Sequence, residues 1–341
     1  MNQPSKEFPG RKFNRLHWII VYSLSASLIF VIWLTKCNFR KEKENTTSID
    51  WQKRIGLTLP HQLTFAGDSL PTQDSAFLVR LKKHFPTKNG AKKNIANLIA
   101  RSKKWFPVME SILKSKGLPE DLKYIAVAES HLTQARSPRN AVGFWQFVST
   151  TAQKYGLEIS EDVDERLSVE KSTHAAANYL KDAYNRFKNW SIAAAGYNLG
   201  LNGIEMQLKK QNKKSYFELD LNPETETYVY KLIALKCLFE YPEMYGIETK
   251  QGPEQGPISF TAIKVSSNIA HLEKFCEEKK YDFEVFRAMN PWLISDKLSN
   301  PHQKTYEFHY PKPKDLNFYK SLIQKKDTAH QDSDSTNSTK S

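Results

Sequence analysis

Apolar positions recur at helical spacing through the middle of this chain. Phe77, Leu78, Leu81 and Phe85 fall at i, i+1, i+4 and i+8, and Pro86 stops the run. Asn94–Phe106 and Pro107–Lys116 repeat the pattern, with Gly117 just past the second helix end. Leu118-Pro119-Glu120-Asp121 restarts a helix, with proline in its first turn and acids at the positive end of its dipole. Ser149–Tyr155 reads as a short helix ended by Gly156. Ser172–Trp190 is a strong one, with Ala175, Ala176, Tyr179, Leu180, Ala183, Tyr184 and Phe187 on one face. Ser191–Asn198 and Glu224–Tyr241 complete the set. Strand-like alternation is nearly absent between residues 75 and 245, which predicts an all-helical domain over 75–248.

After a Gly/Pro-rich linker at 249–257 the period changes. Ile258–Val265 and Lys304–Tyr310 alternate as strands around helical Ile269–Lys279 and Phe283–Ala288, a small βααβ module over 258–313. A polar tail, 314–341, follows, rich in Asp, Ser, Thr and Lys from Lys326 onward. The fold class is mainly α with this small mixed module at its end.

The N-terminal end follows another pattern. Residues 1–15 are polar and basic and read as cytoplasmic. Leu16–Thr35 is an uncharged run of about 20 residues, enough to cross a hydrocarbon core as a helix. Its length exceeds a signal-peptide core, no small-x-small site follows it, and Lys36 precedes Cys37 where a lipoprotein needs a small residue. The expectation is an uncleaved single-pass inner-membrane anchor with the bulk of the chain exported to the periplasm. Residues 36–74 read as a juxtamembrane spacer punctuated by Pro60, Gly67 and Pro71.

Charge changes the picture, since a net +13 calls for an anionic partner. No helix-turn-helix, RRM or zinc-finger pattern accompanies it, so nucleic acid is set aside, leaving a membrane surface or an acidic polymer. Cys37, Cys237 and Cys276 are too scattered for a disulfide framework or metal site, and Cys237 reads as a small core residue. No cofactor is expected.

Candidate chemistry centres on 117–147. Glu129 ends an apolar run, Ile125-Ala126-Val127-Ala128, and desolvation there would raise its carboxyl pKa and keep a proton available for a leaving oxygen. Ser130 is placed to bond a sugar hydroxyl or to orient the acid. Gln146 offers donor and acceptor to an acetamido group. Phe144, Trp145 and Phe147 present either faces for pyranose rings or core, with core favoured for at least two. The acids Asp162, Asp164, Glu165 and Glu170 lie in a charged segment read as solvated.

Taken in order, Glu129-Ser130, Gly143-Phe144-Trp145-Gln146-Phe147, Gly196-Tyr197-Asn198 and Glu224-Thr225-x-x-Tyr228-Val229 resemble the motifs of the lytic transglycosylase family with a lysozyme-like domain. The membrane-bound murein transglycosylases of the D type are nearest in pattern, and the likeness covers about 55–245. The resemblance implies a lysozyme-like fold and cleavage of the MurNAc–GlcNAc bond of peptidoglycan without water. Glu129 matches the sole acid/base, which protonates the linking oxygen and then takes the proton of the MurNAc C6 hydroxyl as a 1,6-anhydro ring closes. Tyr197 and Asn198 match a pair lining the site, Gln146 a groove amide, Tyr228 a tyrosine near the acid, Glu224 a groove carboxylate, and Ser130 the serine after the acid. One acid suffices because an intramolecular hydroxyl supplies by proximity what a second carboxylate supplies in ordinary glycosidases. Three positions depart from the pattern: Val148 for methionine, Gly196 for alanine, and Ser168 for an acid two residues after Arg166. The C-terminal module resembles a LysM-type peptidoglycan-binding unit without the usual Gly-Asp-Thr turn. The competing functions are a goose-type lysozyme-like hydrolase and a non-catalytic wall-binding scaffold.

Overall fold

The structure, a computed structural model, describes residues 53–249, 259–317 and 319–320. The anchor expected at 16–35, the segment before it, most of the linker and the far tail lie outside these residues. Among the described residues no helix is long and apolar enough to cross a membrane.

The chain divides into two compact units. The described part of the smaller comprises 53–58 and 71–78, and Asp74 opens helix α1 (Ser75–Lys82) there by accepting the N–H of Ala76 at 2.8 Å. The larger unit holds 59–70 and everything from Val79. Its first element is a hairpin, β1 (Thr64–Phe65) and β2 (Asp68–Ser69), turned by Ala66 and Gly67 at φ 53° and 87°. The Asp121 carboxylate accepts the N–H of Ala66 at 2.7 Å, Asp68 accepts that of Ser191 at 2.8 Å, and Phe65 is fully buried. Residues 59–70 therefore belong to the helical body, although the sequence reads as spacer there.

Helix α2 (Asn89–Ser115) runs unbroken through Pro107, where two helices were expected. Proline removes one N–H and crowds the carbonyl four residues back. Here Pro107 and Lys103 stand on the exposed face, where that carbonyl meets solvent, while Ile99, Ser102, Met109, Ile112 and Leu113 keep one buried stripe. A 3-10 turn at Glu120–Leu122 leads into α3 (Lys123–Ser130), which buries Tyr124 to Ala128. Next come α4 (Ser149–Lys154) and α5 (Val169–Phe187), whose N-terminus is capped by the Ser168 hydroxyl accepting from Lys171 N–H. The departure at Ser168 thus leaves the helix with a capping oxygen.

Helix α6 (Trp190–Leu199) packs fully buried Ala193, Ala194 and Ala195 among α5, the short α7 (Leu201–Lys210) and the later helix α8 (Pro223–Glu240). The sequence pattern gave no sign of α7. A Cβ on Gly196 would stand 3.0 Å from Leu201 and 3.3 Å from Ile204, so this departure from alanine lets α7 fold back closely. Helix α8 (Pro223–Glu240), capped by Asn222, packs against α3.

The C-terminal module is the expected βααβ unit: β3 (Phe260–Val265), α9 (Leu272–Lys279), α10 (Phe283–Met289) and β4 (Tyr306–Pro311). The strands pair antiparallel from Phe260↔Pro311 to Val265↔Tyr306 over a core of Leu272, Phe286, Trp292 and Phe308. Val163 of the helical domain joins that core. Asp162 beside it accepts from Ser295 Oγ at 2.7 Å and Ser299 N–H at 2.9 Å, and Lys304 reaches both Glu158 and Glu165. Asp162, Asp164 and Glu165 are only 5%, 2% and 3% exposed, which corrects the solvated reading of their segment. Asp162 and Glu165 find partners across this interface, Ser295 and Ser299 for the first and Lys304 for the second, whereas Asp164 pairs with Arg166 two residues on. Glu170 is exposed, as read.

Candidate active site

Glu129 stands in the last turn of α3, where His131 ends the helix in the left-handed region at φ 53°. Its carboxyl is half-buried at the negative end of the helix dipole, a place that disfavours a second negative charge. Desolvation by the surrounding apolar wall pushes its pKa above the usual carboxylate value, and the charge of Glu224 adds to this. Two groups oppose the rise: the Tyr228 hydroxyl, which donates to Glu129 Oε1 at 2.6 Å, and the Lys231 ammonium. Burial wins, so the acid is held toward its protonated form.

Helix α8 supplies the opposite wall. Glu224, Tyr228 and Lys231 fall at i, i+4 and i+7, one face of a helix. Tyr228 is almost wholly buried, and burial pushes its hydroxyl far up, so it serves as a neutral donor. Lys231 Nζ donates to the Ala128 carbonyl at 2.8 Å, beside the acid. Desolvation lowers its own pKa, with Glu129 and Glu224 opposing.

From the end of α6, Asn198 donates to Glu224 Oε1 at 3.0 Å and accepts from Thr225 Oγ1 at 2.8 Å. The Asn198–Glu224 pair is exposed at the rim, where a ligand can reach it. Tyr197 turns inward, its hydroxyl donating to the Trp145 carbonyl at 2.7 Å.

The 143–147 segment is a scaffold more than a sugar platform. Phe144, Trp145 and Phe147 are all buried, with Trp145 Nε1 donating to Thr173 Oγ1, so all three rings are core. Ser130 is buried too, its hydroxyl bonding the Ala126 and Phe144 carbonyls at 3.1 and 2.9 Å. It ties the helix end to this segment and does not face the open side, against the expectation of a sugar-binding serine. Gln146, at φ 49°, spends its Nε2 on the Ala135 and Gly143 carbonyls at 2.9 and 2.8 Å, leaving Oε1 as its acceptor.

Sequence reasoning passed over Arg166, Lys231 and Thr225 as site-shaping residues. Helical spacing from Tyr228 was a signal for Lys231. For Arg166 the signal was its match to an arginine of the resembled pattern, which did not reveal its role. It is 4% exposed, pairs with Asp164 through Nε at 2.8 Å and Nη2 at 2.7 Å, and reaches the Asn140 and Phe147 carbonyls and Ser149. A Cβ on Gly143 would stand 2.1 Å from the Arg166 carbonyl oxygen, so only glycine, at φ 81°, fits there. Among the described residues no three His, Cys, Asp or Glu side chains gather as a metal site would require.

Comparison with known proteins agrees with the family that the ordered motifs resemble. The family model for the transglycosylase SLT domain matches residues 107–219, and that for the soluble lytic transglycosylase C-terminal LysM-like domain matches 261–314. The chain is 32% identical over 142 residues to membrane-bound lytic murein transglycosylase D of Escherichia coli strain K12, covering 40% of this chain and 31% of that protein. The same figures hold for the protein of that description from E. coli O6:H1. The chain thus spans about a third of the length of the curated relatives it matches. Among solved structures, the 70 kDa soluble lytic transglycosylase of E. coli aligns over 56% of this chain and 40% of its own at 18% identity, with a TM-score of 0.37. Glu129, Gln146, Tyr197 and Asn198 lie within the first match, whereas Glu224, Tyr228 and Lys231 lie past it and join the site only through the packing of α8 on α3. The chain carries a transglycosylase SLT domain followed by a LysM-like domain of the soluble lytic transglycosylase type, and is homologous to membrane-bound lytic murein transglycosylase D.

Proposed function

We propose that this protein is a lytic transglycosylase that cleaves the MurNAc–GlcNAc β-1,4 bond of peptidoglycan, with Glu129 as its single acid/base. The observation that carries the reading is the Glu129 carboxyl itself, bound by the Tyr228 hydroxyl at 2.6 Å in a setting whose burial raises its pKa. With Oε1 held by Tyr228, Oε2 delivers the proton to the linking oxygen. The carboxylate so formed is steadied by Tyr228 and Lys231 until it takes the C6 hydroxyl proton and the 1,6-anhydro ring closes. Asn198 and Glu224 form a polar rim for the reacting sugar, and the Gln146 Oε1 accepts from an N-acetyl group. Ser130, Tyr197 and Arg166 act one layer back, on the backbone that holds these groups. Residues 16–35 anchor the chain in the inner membrane, the +13 charge favours a wall polymer bearing carboxylates, and the LysM-like module adds a second glycan contact.

Glu224 favours one other reading. It is the carboxylate whose charge raises the Glu129 pKa, and it could activate a water, making the enzyme a hydrolase. Mass spectrometry of released muropeptides separates the two, since an anhydro end is lighter than a reducing end by one water. Anhydro ends are expected from the wild type, and Glu129→Gln should lower their release by about 10²–10⁴-fold. Unchanged cleavage by that variant removes the catalytic assignment.

A further inference from the structure

A cleft of about 660 Å³ opens between the loop after α1 and the first half of α2, and reaches His131, two residues past the acid. Its volume is that of a small-molecule site. Its walls carry Lys83, His84, Lys88, Arg101 and His131 and not one Asp or Glu. Arg101 Nη1 donates to the His131 carbonyl at 2.6 Å, which fastens this wall to the segment leaving Glu129 and turns the guanidinium into a fixed part of the cleft. On the side of the acid, Lys231 bonds the Ala128 carbonyl, and its charge is felt by Glu129, His84 and His131 alike. Burial first, and Lys231 next, lower the pKa of both imidazoles, which disfavours a further positive charge on either.

We infer that this cleft binds the free carboxylates of the peptide stems on the glycan strand, so that the protein prefers peptide-bearing over naked glycan. The inference rests on the transglycosylase reading. A stem hangs from the MurNAc ring, and four extended residues reach about 13 Å, enough to lead from a sugar at Glu129 into a cleft that begins at His131. The cleft holds no acid to compete for the cations, and Arg101 presents a fork suited to a carboxylate. Its main walls precede residue 107, outside the SLT match, so the preference belongs to this chain's own N-terminal helices.

The test uses the full chain and three substrates: peptide-bearing strands, the same strands stripped by an amidase, and strands whose peptide carboxylates have been amidated. Lys83→Ala/Lys88→Ala is the informative variant. Both residues are exposed, and the Lys88 side chain makes no capping bond to α2. Wild-type kcat/KM should be about tenfold higher on the first substrate than on the others, and the double variant should erase that advantage, mainly through KM, without slowing the stripped strands. Lys83→Glu/Lys88→Glu should invert it. Equal wild-type rates on all three substrates, or a variant that slows all three alike, would overturn the inference. So would loss of binding to anionic phospholipid vesicles with no change between the three strands, which assigns the cleft to a phosphate surface. Absence of anhydro ends from every substrate would instead count against the transglycosylase reading, and strand binding to the Glu129→Gln protein then reads the cleft by itself.

Discussion

Glu129 needs two protonation states within one turnover, and its surroundings supply opposing pulls. Burial and the Glu224 charge favour the acid, whereas the Tyr228 hydroxyl and Lys231 favour the carboxylate. Activity that needs the protonated form falls as pH rises through the Glu129 pKa. Tyr228→Phe removes a hydrogen bond made to the ionised form, which pushes that pKa higher still. Its alkaline limb of kcat/KM should therefore move to higher pH, while kcat drops about tenfold for want of a donor to steady the carboxylate. A pH–rate profile on isolated glycan strands checks both. A limb that moves downward or stays in place would show that Tyr228 does not act on Glu129. The apolar run before Glu129 made the burial legible in advance. Of its partners, Tyr228 was expected near the acid only through the family resemblance and Lys231 not at all: both lie about a hundred residues away, and the packing of α8 on α3 brings them to the acid.

At the scale of elements, the acid's helix is held by a chain of backbone contacts. Ser130 bonds the Phe144 carbonyl, Gly143 fits under the Arg166 carbonyl, and Arg166 grips Asn140, Phe147 and Ser149 while paired to Asp164. Removing one partner of such a buried pair leaves an uncompensated charge. Arg166→Ala should cost about 3–5 kcal/mol in denaturant unfolding, and the surviving folded protein should lose activity as the 143–147 segment loosens. Arg166→Lys, which keeps the charge but not the fork, should recover only part of either. The helices themselves follow from periodicity and caps, with ends displaced by a few residues. Pro107 shows where local rules mislead, because a proline on the exposed face leaves the buried stripe intact. Helix α7 was invisible because its placement depends on the space above Gly196, a tertiary quantity.

At the scale of the molecule, the LysM-like module is docked and not merely tethered. Burial opposes ionisation of Asp162, yet the bonds from Ser295 and Ser299 outweigh it and hold the carboxyl below its usual range. A chain ended after residue 249 strips Asp162 of both donors and exposes Val163. Its melting temperature should fall by about 5 °C, and amide exchange over 162–165 should accelerate. Unchanged exchange there would mean that the module contributes nothing to the helical domain. Because the depressed carboxyl contributes stability above the unfolded Asp value and loses it as pH falls, the full chain's advantage over the truncated one should shrink below about pH 4. The sequence by itself determined the helical class, the βααβ module, the acid and its apolar setting, and the ordered motifs, because each is written in local period, turn chemistry or spacing. Tertiary structure alone decided that the segment of acids is buried, that all three aromatic rings are core, that Ser130 faces inward, and that a cleft lined by cations reaches His131. Those outcomes turn on which side chains meet, and a buried charge is tolerated only where a partner meets it.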